Sequence, residues 1–187
     1  MRTKISALLL GTALALPLLP LTSHAEGSYV KLGVGQSRYW DDGSTTATGY
    51  LLAYGMQVDP SLDMEFGYID FGQAKIDFTF EDVSGDLRFK TQSLYAAGIG
   101  NIPMSPTVTL QGKLGLAVNR SSAMRVSTNL QDFSGDDQHT NIRMLIGAGL
   151  KMQLSKEISG SLEYTYFGNA AHGVKLGLFN AALGYHF

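Results

Sequence analysis

Three histidines beyond residue 25, His139, His172 and His186, are the first places to look for chemistry. A serine or threonine nucleophile needs a base within hydrogen-bond reach, oriented by a third group. His186 falls in a strand-like stretch, facing inward or at a rim, and His139 and His172 fall in or beside polar loops. His139 follows Asp136 and Asp137 closely, which is a beginning for a metal or protease site. A polar segment of this kind is more simply a solvated loop. No His/Asp/Glu spacing matches a metal-ligand set. No catalytic, cofactor-binding or metal residue is therefore assigned, no cofactor is expected, and the protein is not read as an enzyme.

The charges say more. Within otherwise apolar stretches, Lys31, Asp63, Glu65, Gln111, Lys113, Arg143, Lys151 and Glu163 occupy the polar parity of an alternating pattern. Both signs are present. If these stretches close into a narrow barrel, the side chains face one another, and an unpaired charge there would be costly, so pairing is expected.

The elements that must position them have a period of two, which is the signature of β-strands. In the last nine residues Phe179, Ala181, Leu183, Tyr185 and Phe187 alternate with Asn180, Ala182, Gly184 and His186. Residues 29–39 set Val30, Leu32 and Val34 against Lys31, Gly33, Gly35 and Ser37. Residues 48–58 set Tyr50, Leu52, Tyr54 and Met56 against Gly49, Leu51, Ala53 and Gly55. Further strands follow around Met64, Tyr95, Leu114, Ile146 and Leu162. About eight strands of roughly ten residues result, the length a tilted strand needs to cross a bilayer.

Connections near Asp59, Pro103 and Ser155 are tight, whereas those after Tyr39, Phe71, Asn119 and Phe167 are longer and polar. In particular, residues 72–88 and 121–139 read as long loops, although the alternation in Ile76-Asp77-Phe78-Thr79-Phe80 suggests that the first hairpin extends above the membrane. Sorting long loops to one rim is the habit of outer-membrane barrels. One face is unbroken Leu, Val, Ile, Met, Tyr and Phe, without the Lys and Glu of a solvated surface, and Tyr50, Tyr68, Tyr166, Tyr185 and Phe187 suit interfacial girdles. The other face is rich in Gly, Ala and Ser, as the crowded interior of a narrow barrel requires. The expected fold is all-β: an eight-stranded antiparallel up-and-down transmembrane β-barrel over residues 26–187. So small a barrel has an interior that side chains fill, so an open pore is not expected.

Residues 1–25 are expected to be a secretory signal peptide. Arg2 and Lys4 precede an apolar run too short to span a membrane, and Ser23-His24-Ala25 puts small residues at the cleavage positions. Removing it takes two positive charges from a formal net charge of −2, leaving −4. That mild acidity does not suit nucleic-acid binding. The absence of cysteine means no disulfide framework holds the exported protein.

Residues 54–68, with Asp59-Pro60-Ser61 at the turn and Glu65-Phe66-Gly67-Tyr68 after it, resemble the second hairpin of the OmpA-type transmembrane domain. Residues 159–166 and 182–187 resemble its seventh and last strands. The resemblance runs through residues 26–187 in order, and the expectation is a barrel without the periplasmic peptidoglycan-binding domain that follows in full-length OmpA. It implies that Glu65 and Glu163 are the acidic members of an interior salt-bridge cluster; from the inward row of this sequence, Lys113 and Arg143 are expected as their basic partners. Ile99 stands where the family has a fourth-strand lysine, so the rearrangement thought to gate OmpA is not expected to carry over. Phe179, Leu183, Tyr185 and Phe187 look like the C-terminal signal that outer-membrane assembly machinery reads. Residues 164–170 faintly resemble the catalytic strand of lipid A deacylases, but Thr165 and Gly168 occupy the places of its His and Ser.

These readings imply a monomeric protein of the cell outer membrane. Its partners would be the lipid bilayer, lipopolysaccharide and the assembly machinery, with an extracellular ligand at the loops. Its role would be structural or surface-exposed, with a polar plugged lumen. The alternative is an adhesin or a host-factor or serum-resistance binder acting through its loops; a narrow gated pore and a lipid A-modifying enzyme stand behind both.

Overall fold

The computed structural model describes residues 27–40, 44–80, 83–128, 132–133, 137–169 and 174–187. The expected signal peptide and His172 lie outside the described residues. The elements are β1 (Ser28–Trp40), β2 (Ser44–Asp59), β3 (Leu62–Phe80), β4 (Val83–Pro103), β5 (Val108–Thr128), β6 (Asp132–Phe133), β7 (Asp137–Gln153), β8 (Ile158–Asn169) and β9 (Lys175–His186). β6 is a two-residue strip laid against β5 through Val126↔Phe133 and Ser127↔Asp132. The other eight are staves, each antiparallel to its neighbours. Pairing of β1 with β9, from Tyr29↔His186 to Trp40↔Lys175, closes the ring. Closure pairs the staves on both sides around the ring, which a bilayer demands because lipid offers backbone groups no hydrogen bonds; toward the loop rim β3 beyond Asp70 and β7 before Ile146 are paired on one side only.

The period of two sorts the side chains as expected. Leu32, Val34, Leu52, Leu94, Leu114, Leu116, Ile142, Ile146, Leu162 and Leu183 point outward and are exposed. Lys31, Ser37, Glu65, Ser93, Lys113, Asn119, Glu163 and Asn180 point inward and are buried. Among the expected girdle aromatics, Tyr50, Tyr68, Tyr185 and Phe187 are exposed on the outer face. Tyr166 is half-buried, its ring 6.0 Å from that of Trp40.

Two expected long loops are largely strand. β3 continues to Phe80 and β4 begins at Val83, so most of residues 72–88 is a paired ladder, with Lys75↔Arg88 and Phe80↔Val83 in register. β5 likewise runs to Thr128 and β7 begins at Asp137. Polar composition marks where a strand leaves the bilayer, but it does not end the backbone pairing. Period two in Ile76-Asp77-Phe78-Thr79-Phe80 is the trace of that continuation. The tight connections sit on the rim that also holds Ser28 and His186; this is called the turn rim below, and the opposite one the loop rim.

A bulge between Asp70 and Gln73 re-aims β3 near the loop rim. Gly72 there has φ +75°, and any Cβ would press on the Thr48 carbonyl oxygen. Its amide donates to Asp70 Oδ1 at 2.9 Å. The bulge turns both Phe71 and Ala74 into the barrel, where Phe71 is fully buried.

Candidate functional site: a charge ring inside the barrel

Four inward side chains meet in the half of the lumen nearer the turn rim. Each comes from a different stave: Lys31 from β1, Glu65 from β3, Lys113 from β5 and Glu163 from β8. Lys31 Nζ contacts Glu65 Oε2 at 2.6 Å and Glu163 Oε1 at 2.7 Å. Lys113 Nζ contacts Glu65 Oε1 at 2.8 Å and Glu163 Oε2 at 2.8 Å. Each lysine thus bridges both carboxylates, and each carboxylate gives one oxygen to each lysine. The ring is electrically neutral and almost entirely screened from water, with Glu65 0 % exposed and Lys113 8 %.

Neutral donors complete it. Tyr95 donates to Glu65 Oε1 at 2.6 Å and Tyr29 to Glu65 Oε2 at 3.1 Å. Ser161 donates to Glu163 Oε1 at 2.9 Å. Buried charges persist only when paired and fully hydrogen-bonded, and these carboxylates are both. The Tyr95 ring lies directly against Gly67, where any Cβ would collide with it. A side chain at residue 67 would therefore push the Tyr95 hydroxyl away from Glu65. Lys113 Nζ also lies 5.4 Å from the centre of the Tyr95 ring.

Arg143 is not part of the ring, contrary to expectation. It is exposed near the loop rim, where its Nε donates to the Asn169 carbonyl at 3.3 Å. Its parity is inward but its depth is wrong. Glu163 pairs with Gly149, six residues along β7 from Arg143, a separation of roughly 20 Å at about 3.3 Å per residue. Lys31 holds the position expected for Arg143. Alternation had already put Lys31 on the inward row; what it lacked was depth. Counting from the turn rim would have supplied it: Lys31 is three residues into β1 and Lys113 five into β5, whereas Arg143 is ten from the end of β7.

The lumen is polar only in part. Toward the loop rim it is filled by an apolar cluster that includes Phe71, Leu145, Phe167, Leu176 and Leu178. Phe71 and Phe167 meet edge to face at 5.0 Å, and Tyr95 reaches the same Phe167 ring at 6.2 Å. Tyr95 therefore joins two layers, charged below and apolar above. The expected polar plug thus fills the half nearer the turn rim, and an apolar layer fills the other. Leu51 and Leu145 already lay on the inward parity, and the many Gly, Ala and Ser around them masked the signal.

The histidines are scattered. His139 is exposed at the start of β7. His186 Nε2 lies 2.8 Å from Ser159 Oγ, and its ring stands 5.3 Å from that of Tyr29 at the turn rim. Asp63 is buried on the same inward row, and Gln111 donates to Asn101 Oδ1 at 2.8 Å. Lys151 is half-exposed at the mouth. Phe179, Leu183, Tyr185 and Phe187 form an outward row on β9 and just beyond it, with the Phe187 amide donating to the Ser28 carbonyl at 3.0 Å.

Solved structures share this architecture. Neisserial surface protein A aligns with a TM-score of 0.65 at 18% identity, covering 86% of this chain and 97% of that one. OprG from Pseudomonas aeruginosa aligns with a TM-score of 0.64 at 14% identity, covering 87% and 97%. Ail, the attachment invasion locus protein of Yersinia pestis, aligns with a TM-score of 0.57 at 23% identity, covering 87% and 99%. Identities this low speak to the fold alone. No curated protein matches the sequence. The family model described as outer membrane protein beta-barrel domain matches residues 6–187. With a closed ring of eight antiparallel staves, apolar outside and charge-paired within, the chain belongs to that family of outer-membrane β-barrels.

Proposed function

We propose that the protein is a non-enzymatic, monomeric surface scaffold of the outer membrane, whose lumen is sealed and whose function lies on its outer surfaces. The observation that carries this reading is the ring of Lys31, Glu65, Lys113 and Glu163, which spans the lumen from four staves beneath an apolar layer. An ion would have to break paired charges and then cross packed Phe71 and Phe167. The loop rim faces outward, and residues 1–25 are a signal peptide removed on export. The row of Phe179, Leu183, Tyr185 and Phe187 serves recognition by the assembly machinery.

The adhesin or serum-resistance reading has its own support in stave length. β4 and β5 each run 21 residues, against 12 in β8 and β9. A tilted strand of about 9–11 residues already crosses the bilayer. The excess lifts two hairpins beyond the membrane, where binding surfaces sit. Conductance of the refolded chain in planar bilayers, paired with attachment assays on a version trimmed between residues 121 and 139, tests both readings. A silent barrel whose trimmed form loses attachment is the expected result. Steady ion current through the intact barrel would overturn the sealed-lumen reading, and unaltered attachment after trimming would overturn the loop reading.

A further inference from the structure

Between the charge ring and the turn rim, the mouth of the lumen holds two charges of opposite sign that do not meet. Asp63 on β3 is 3% exposed, and Lys151 on β7 is half-exposed. β4 and β5 stand between their staves. Both lie close enough to His186 to act on its charge. Among the described residues, neither side chain has a hydrogen bond or an ion pair. A carboxylate set so deeply is costly to leave unpaired. The unpartnered side-chain atoms sealed from solvent are Asn141 Oδ1 and Asn180 Nδ2, so the Asp63 carboxylate opens on the mouth.

A cup of about 240 Å³ lies at this rim. Gln57, Asn101, Lys151 and Gln153 line it, with Pro60 and Pro103 at its edge. Asp63 faces Gln57 in register, on the same inward row. Gln111 occupies Asn101 Oδ1, which leaves Asn101 Nδ2 free to donate. Gln153 Nε2 donates to the Ser155 carbonyl at 2.7 Å, which leaves Gln153 Oε1 free to accept. The turns that carry these groups are tied together. The Asn101 amide donates to the Ser61 carbonyl and the Gln153 amide to the Thr107 carbonyl, each at 2.8 Å. The polar groups are thus held in place before anything binds.

An anion, a donor, an acceptor and a cation around one small cavity complement an ammonium, a carbonyl, an N–H and a carboxylate in that order. We infer that the turn-rim mouth is a binding site for a short zwitterionic peptide of dipeptide size. Its ammonium sits on Asp63, its peptide group between Asn101 and Gln153, and its carboxylate on Lys151. A simple cation or a simple anion would use only one of the two charges. The charge ring closes the cup from within, so the peptide is held and not passed. The site lies on the far side of that ring from the hairpins, and it depends neither on the orientation of the barrel nor on attachment at the loop rim.

The full chain, isotope-labelled and refolded in detergent micelles, is titrated with L-alanyl-L-alanine and followed by magnetic resonance. Saturable shifts are expected for the side-chain amides of Asn101 and Gln153. The indole of Trp40, the sole tryptophan, lies at the loop rim and should stay still. Acetylating the probe removes its ammonium and amidating it removes its carboxylate; each change should weaken binding about ten-fold or more. Two variants separate the ends. Asp63→Asn should weaken binding of the free dipeptide and abolish its preference over the acetylated form. Lys151→Gln should do the same with respect to the amidated form. Neither side chain holds a partner in the barrel, and heat-modifiable gel mobility confirms that each variant folds. The proposal is overturned if no saturable shift appears, since water alone then meets Asp63, or if both capped probes bind as well as the free dipeptide. It is equally overturned if neither variant changes the preference, or if Trp40 shifts in parallel with Asn101.

Discussion

Removing one ammonium from the lumen ring is the sharpest test of how the barrel is held. Lys113→Met keeps the length of the side chain and deletes two contacts of 2.8 Å. Glu65 keeps Lys31, Tyr29 and Tyr95, while Glu163 keeps Lys31 and Ser161. Two buried carboxylates must then share one cation. Breaking a buried pair from one side costs about 3–5 kcal/mol. The surviving donors place this case at the lower end, about 3 kcal/mol, or roughly a hundred-fold in the folding equilibrium. Adding Glu163→Gln restores neutrality, so the double variant should recover part of the loss, with a coupling energy of about 2 kcal/mol. The assay is urea-dependent folding into lipid vesicles, read by heat-modifiable gel mobility, for both single variants and the double. The matching cycle on Arg143 and Glu163 is the control and should couple by less than about 0.5 kcal/mol, as distant sites do. A Lys113–Glu163 coupling as small as that of the control would refute the ring as a stabilising unit. A large Arg143–Glu163 coupling would refute the depth assignment.

Other expectations follow from the same geometry. Leu114 and Ile146 are 57% and 59% exposed on the outer face and pair with each other across β5 and β7; arginine at either should destabilise folding by about 2–4 kcal/mol, and an unchanged urea midpoint would invert the inside and outside faces. Gly67→Ala should cost about 1–3 kcal/mol by displacing the Tyr95 ring; a companion Tyr95→Leu change that fails to relieve the cost would point to another cause. At the turn between β2 and β3, Ser61 donates both its hydroxyl and its amide to Asp59 Oδ1 at 2.7 Å, holding the Asp59 carboxyl below the usual carboxylate range. A lowered folded-state value means this help to the hairpin is present at neutral pH and lost as pH falls through the carboxylate range. Asp59→Asn should flatten that part of the pH dependence of folding, and an identical profile would remove Asp59 from the account. Protease added to intact cells should cut near Asp82 or Gln131 and spare Asp59 and Lys156; the reverse pattern would invert the barrel.

The architecture was legible because alternation is a local property. Each stave reports its two faces through its own residues, and Lys31, Glu65, Lys113 and Glu163 were all visible as inward. Which of them meet was harder, because contact across a barrel depends on depth, and depth depends on stagger between strands far apart in sequence. Arg143 shows the difficulty: right row, wrong level. The tyrosines show another. Tyr95 alternates with Leu94 and Ala96, which puts it on the inward parity of β4, but its hydroxyl partner on β3 appears only when the register Gly67↔Tyr95 is known. The extent of strand in residues 121–139 was missed for a third reason, whereas the hairpin over residues 76–80 announced itself by alternation. Hydropathy reports the solvent of a side chain, whereas pairing belongs to the backbone, and a ladder can leave the membrane without ending.

The two layers of the lumen follow from a constraint that the outer face does not share. Outside, every apolar side chain is solvated by lipid tails and no shape need be matched. Inside, eight staves leave a narrow space that must be filled without stranding a polar atom. An apolar filling alone would satisfy this requirement, and replacing buried ion pairs by apolar groups often costs little. The charges therefore contribute something besides bulk. Each contact of the ring joins two staves that are not neighbours in the sheet, β1 to β3, β1 to β8, β5 to β3 and β5 to β8. Stave-to-stave hydrogen bonds cannot distinguish the right stagger from one slipped by two residues, since a slip of two preserves both faces. A slip of that size in any one of β1, β3, β5 or β8 would carry a charge out of reach of its partners. The ring thus penalises slipped barrels more than it rewards the correct one. Variants made neutral at all four positions should accordingly fold with near-normal stability but into a mixture of registers, visible as multiple amide resonances for the glycines of β9.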